Sequence, residues 1–129
     1  MNYKKIKTFE HACKALSADA KALPDFSMLP LKHQKALTAH AKLVLIADAL
    51  NEGWQPNWDD GNEYKWVPWL YVQKDKGKPS GFGLSLYVVV FWITYTYVGS
   101  RLCYKSREVA KYAFETFKDL YEEYMLINI

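Results

Sequence analysis

Several residue types and patterns are scarce in this chain. It has two cysteines, Cys13 and Cys103, each beside apolar or aromatic neighbours and far apart in sequence. No disulfide framework follows from them, and both read as free, buried thiols. The three histidines offer no metal-binding spacing: His33 and His40 stand nearly two helical turns apart, roughly 10.5 Å along an axis, and His11 is remote. No metal and no cofactor are implied. Ser100 lies in no G-x-S-x-G, no glycine-rich loop has phosphate-binding spacing, and neither cysteine has a nucleophile signature. The chain does not read as an enzyme.

Nor does charge of one sign prevail. Seventeen Lys+Arg against fourteen Asp+Glu leave a net charge of +3, too little to steer duplex DNA unless it is gathered on one face. Lys4, Lys5 and Lys7, and Lys74, Lys76 and Lys78 around Asp75, read as a solvated end and loop. The opening MNYKKIKTFEH has basic residues without the apolar stretch of a secretory signal, so the expected location is cytoplasmic. The longest uncharged stretch lies between Lys78 and Arg101. Its Val, Tyr, Phe and Trp, interrupted by Gly83, Ser85, Thr94 and Thr96, favour sheet over a spanning helix, so no membrane contact is expected.

What the chain does have is apolar material. Half of its 129 residues are hydrophobic, which fits a single domain over 1–129 with a core of its own. Thr8 is placed to cap a short helix carrying Phe9, Ala12, Cys13 and Leu16 on one face. The segment LPDFSMLP, bracketed by Pro24 and Pro30, cannot propagate a helix and is expected to cross the core with Phe26, Met28 and Leu29 as pegs. From Lys32 to Leu50 a second helix should bury Leu37, Ala41, Val44, Ala47 and Leu50, broadened by Leu43 and Ile46, and stop before Gly53.

Beyond it, 64–72 has strand composition, with Pro68 marking an edge or a bulge. Gly77–Gly81 is the clearest loop. Alternation then resumes through Leu84, Leu86 and Val88, and again from Trp92 to Val98, which predicts a hairpin turning around Val89–Phe91. Gly99 reads as a bulge before a strand over Arg101–Tyr104. Ser106 caps a last helix with Val109, Ala110, Ala113, Phe114, Phe117, Leu120, Tyr121, Tyr124 and Met125 in one stripe. The expected fold is α+β: a small antiparallel sheet of three to four strands, packed by a long C-terminal helix and a buried central helix, without βαβ units or internal repeats.

The clearest anomaly is aromatic. Trp54, Trp58, Tyr64, Trp66, Trp69 and Tyr71 crowd one stretch, interleaved with Gln55, Asn57, Asn62 and Lys65. Three readings stand open. The aromatics form core. They anchor a protein interface, with Phe91 and Trp92 on the apolar hairpin. Or they stack single-stranded bases or a nucleotide, with Lys65, Lys74, Lys76 and Arg101 supplying charge. Because Trp66 and Trp69 have opposite strand parity, they cannot share a face in a regular strand. Asp59, Asp60 and Glu63 could support acid–base chemistry, but Asp-Asp-Gly-Asn is ordinary turn chemistry.

The segments KTFEHACKAL, LPLKHQKALTAHAKL, ALNEGWQPNWDDGNEYKWVPWLYV and VGSRLCYKSREVAKYAFETFKDLYEEYML resemble a family of small uncharacterised proteins of bacteriophages and prophages of Bacteroides-type gut bacteria. GWQPNW, YKWVPW and GSRLCYKSRE carry the resemblance most specifically. It implies an origin, but no activity and no site residues. Relatives look polar where this chain has 86–92, so an apolar, variable hairpin tip is expected to be a binding or oligomer contact. The function these readings imply is a phage-type accessory protein, a non-enzymatic module binding a host or phage protein or a second copy of itself through Trp54, Trp58, Trp66, Trp69, Phe91 and Trp92. The alternative is single-stranded nucleic acid or nucleotide binding.

Overall fold

The computed structural model describes residues 2–96 and 100–127. After one 3-10 turn, Tyr3–Lys5, the order is α1 (Phe9–Leu16), α2 (Leu31–Leu50), β1 (Lys65–Lys74), β2 (Phe82–Trp92), α3 (Arg107–Thr116) and α4 (Lys118–Met125). The fold is α+β, and among the described residues its sheet has two antiparallel strands rather than three to four.

Thr8 caps α1 as its sequence position implies, its hydroxyl accepting the His11 N–H at 3.1 Å. Phe9, Ala12 and Cys13 are buried. The buried side of α2 centres on Leu43, Ile46, Ala47 and Leu50, joined by Ala39 and Ala49. Leu37 is exposed, and Ala41 and Val44 are half-buried, because the buried stripe of α2 runs through Ala39, Leu43, Ile46 and Leu50, to one side of them. Past the helix, Glu52 and Gly53 take positive φ, 51° and 86°, which turns the chain where glycine is least strained.

The connector before α2 does not cross the core. Met28 is 90% exposed, and Phe26 and Leu29 are only half-buried. Asp19 and Asp25 each accept a backbone N–H two residues on, at 2.9 Å. Such local turns keep a segment at the surface, where its other polar groups meet water.

The hairpin turns at 75–81, in the expected loop, where the Asp75 N–H donates to the Gly81 carbonyl at 2.9 Å. The turn expected at Val89–Phe91 is absent: β2 runs straight through, pairing Val90 with Val67 and Phe91 with Trp66. Consecutive β-branched residues hold extended backbone and supply no position suited to positive φ. The register slips once, between Trp69 and Leu70, because Val88 and Leu86 face these neighbours and leave Tyr87 as the extra residue of a bulge. The second hairpin strand expected over Trp92–Val98 does not continue past Trp92, since 93–96 are irregular. Tyr97, Val98 and the bulge expected at Gly99 lie outside the described residues.

The strand expected over Arg101–Tyr104 shrinks to one bridge, Trp66 with Tyr104. Its arrest has a local cause. The next pair would join Leu102 to Pro68, but proline has no N–H to donate, and the Leu102 N–H already donates to the Ser100 hydroxyl at 3.0 Å.

Ser106 caps the last helical region as expected, accepting the Val109 N–H at 3.1 Å. The expected long helix is broken at Phe117, whose φ of −114° and ψ of 30° leave the helical region. Accordingly α3 packs on both strands, while α4 packs mainly on α2. The change of direction buries Glu122, which the stripe places on the outer side, together with Tyr121. In the core between these layers the Tyr104 and Tyr121 hydroxyls share a hydrogen bond of 2.8 Å.

Candidate functional site

The sequence-predicted residues fall into separate groups. Trp54 and Trp58 belong to the loop between α2 and β1, which folds around Lys65. The Lys65 side chain has no exposure, and its Nζ donates to the carbonyls of Asp60 and Glu63 at 3.0 and 2.9 Å. It stands 3.5 Å from a Glu63 carboxylate oxygen and 5.3 Å from the Trp58 ring centre. Trp54 donates its indole N–H to Glu63 at 3.3 Å. Lys65, expected to offer charge to a phosphate, is therefore a buried staple of this loop, and Trp54 and Trp58 are half-buried parts of it.

The same geometry accounts for the acidic cluster. Glu63 also accepts the Asn57 N–H at 2.6 Å, and Asp60 accepts the Asn62 N–H at 2.8 Å, so these carboxylates close turns. Of the histidines, His33 is exposed and His40 stacks on Tyr124 with ring centres 4.5 Å apart. Among the described residues no group of three or more His, Cys, Asp or Glu is placed to hold a metal ion, and no helix is long and apolar enough to cross a membrane. Cys13 and Cys103 are free and buried. Burial pushes the Cys103 thiol above its usual range, away from the reactive thiolate.

Trp66 and Phe91 sit opposite each other on the sheet face that meets the core. Trp66 is half-buried against the core, whereas Phe91 lies beyond the core's edge, 43% exposed, and stacks on the likewise exposed Tyr64 with ring centres 4.0 Å apart. Trp69, of the other parity, is 57% exposed. Tyr71 is on its face, and Tyr71 meets Tyr87 across the hairpin with ring centres 4.7 Å apart. The bulge thrusts Tyr87 outward to 58% exposure. Trp69, Tyr71 and Tyr87 thus make a ridge of aromatic rings open to solvent. Trp66 and Trp69 do take opposite faces, as their parity requires. Tyr87 was not among the sequence candidates, because nothing in the sequence marks the bulge that exposes it.

Beside this ridge lies an open groove of about 960 Å³, lined by Trp69, Trp92 and Arg101 together with apolar residues of β1 and α4. Lys74 and Lys76 are exposed at the far end of the hairpin, apart from Arg101. The chain matches no protein-family model, no curated protein and no solved structure.

Proposed function

We propose that the protein is a non-enzymatic binding module of the phage-accessory type, which acts by protein–protein contact through the β1–β2 hairpin. The observation that carries this reading is the solvent-open ridge of Trp69, Tyr71 and Tyr87, rings of the kind that anchor interfaces. A contiguous aromatic patch on a small protein costs solubility unless a partner covers it. The partner would be a host or phage protein, or a second copy of the chain. Trp92 lines the groove beside the ridge, while Phe91 stacks on Tyr64 on the other face of the sheet. Single-stranded nucleic acid or nucleotide binding has less support, because Lys65 is buried and Trp54, Trp58 and Trp66 are engaged within the chain, which leaves Trp69 as the open ring among those four tryptophans.

Tryptophan fluorescence during titration with single-stranded oligonucleotides, at low and high salt, separates the two readings. The protein-contact reading expects no salt-dependent quench. A quench that weakens as salt rises, as phosphate contacts require, and disappears in Trp69→Leu overturns it in favour of base stacking.

A further inference from the structure

The β1 strand has one edge paired with β2 and one edge that, among the described residues, is paired at Trp66 alone, and the hydrogen-bond phase of the strand identifies its outward groups. Trp66 exchanges both backbone bonds with Tyr104, at 3.0 and 2.8 Å. Its N–H and C=O therefore point away from β2. In a strand the groups of alternate residues share this direction, so those of Leu70 and Val72, with the Pro68 carbonyl, also point outward. The opposite strand agrees. Leu84, the partner of Val72, sends its N–H to the Glu122 carboxylate at 2.8 Å, and Phe82, the partner of Lys74, sends its N–H to the Ser80 hydroxyl at 3.2 Å. Those pairs are hence the ones without mutual bonds.

The two edges of the sheet are treated differently. On β2 the buried Glu122 carboxylate, braced by Lys78 at 3.1 Å, blocks a would-be pairing position, a common protection of sheet edges. On β1 no described residue bonds the Leu70 or Val72 N–H. The groove follows this edge, for it touches consecutive residues of β1 from Val67 to Leu70, and side chains of consecutive residues point to opposite faces. Only a channel alongside the strand meets them all.

We propose that this groove receives an extended, acidic peptide segment of the partner, which adds to the sheet as a strand along Pro68–Val72. This deepens the protein-contact reading and rests on it. Hydrogen-bond complementarity argues for a strand, since the free donors and acceptors of Leu70 and Val72 are matched by extended backbone. Charge argues for acidity: Arg101 is the only Lys, Arg, Asp or Glu lining the groove, it is exposed, and it makes no salt bridge among the described residues. The shape argues for a single strand. The edge is bordered by α4 and by 100–102, which leaves beside it a channel of the width of one extended segment. Pro68–Val72 spans about 13 Å, which matches a segment of about five residues, with its carboxylate at the Arg101 end.

The test starts from a displayed library of random dodecamer peptides selected on the whole protein, followed by affinity measurements with the enriched peptide made synthetically. Expected are sequences with alternating apolar residues and an Asp or Glu. Val72→Pro removes only an outward N–H from an exposed residue and should weaken binding about tenfold, the effect of one lost hydrogen bond. Val72→Thr, which keeps the N–H, should bind nearly as well as the parent, and Arg101→Glu should abolish the acidic preference. A probe independent of protein variants is the peptide N-methylated at alternate residues: methylation in one phase should eliminate binding and in the other spare it. Absence of any enriched sequence, or equal tolerance of both methylation phases, overturns strand addition. A dimer in sedimentation that Val72→Pro dissociates also overturns it, assigning the edge to a second copy. Partner binding that depends on Trp69 and Tyr87 but not on Val72→Pro overturns strand addition alone and leaves the protein-contact reading standing.

Discussion

The Lys65 ammonium is closed off from solvent and held by two carbonyls of the 60–63 turn and by Glu63. Removing a buried charge from such a setting strands its acceptors. Lys65→Met should lower stability by about 3 kcal/mol, read as a fall in the urea midpoint, whereas Lys76→Met on the exposed loop should change it by under ~0.5 kcal/mol. The Tyr104–Tyr121 pair makes a second residue-scale test. Either Tyr→Phe change leaves a buried hydroxyl unsatisfied and should cost about 1–2 kcal/mol, while the double change should cost less than the sum of the two, as a double-mutant cycle in urea would show.

The same pair gives a pH dependence. Burial pushes the Tyr121 hydroxyl up to about 12, and burial, followed by the charge of Tyr121, pushes Tyr104 well above its usual value. Between the ordinary tyrosine value of roughly 10 and the raised one, the unfolded chain holds fewer protons than the folded chain. Stability is therefore complete below about pH 10 and falls as the pH rises through the raised values. Urea midpoints measured from pH 8 to 12 should decline above pH 10, and more shallowly in the double Phe variant.

At the scale of elements, the helix starts were legible because capping is local. Thr8 and Ser106 each sit before an apolar stripe and bond the N–H three residues on. Ser106→Ala should cost about 1 kcal/mol, measured as a shift in the urea midpoint. The β1 segment and the 75–81 loop were legible for similar reasons, from aromatic and β-branched composition and from glycine and proline.

The features that escaped the sequence depend on partners that only the folded chain brings together. The break at Phe117 turns α4 so that the Glu122 carboxylate meets the Leu84 N–H, and periodicity within one helix carries no trace of that partner. The arrest of the third strand reflects Pro68 meeting Leu102, which lies far from it in sequence. Lys65 looked like surface charge because its oxygen partners come from a turn that only folding assembles. Of the candidate site, Trp69 and its split from Trp66 were legible through strand parity. Tyr87 was not, since its exposure follows from a one-residue slip in register.

On the scale of the whole molecule, α1, α2, α3 and α4 enclose the core from one side of the sheet, and the opposite face of the hairpin is left with Trp69, Tyr71 and Tyr87 outward. Their side chains add little to folding. Trp69→Ser combined with Tyr87→Ser should leave the urea midpoint nearly unchanged, within about 0.5 kcal/mol, and yet abolish association with the partner. That separation of stability from association distinguishes a contact surface from misplaced core. The most direct measurement of protein contact through the hairpin is photo-crosslinking in the native cell, with a photoreactive phenylalanine at position 87 and, as reference, at position 111 on the exposed side of α3. The account expects a discrete protein adduct, with a partner or a second copy, from position 87 and none from position 111. Equal adducts from both positions, or adducts with nucleic acid alone, would contradict it.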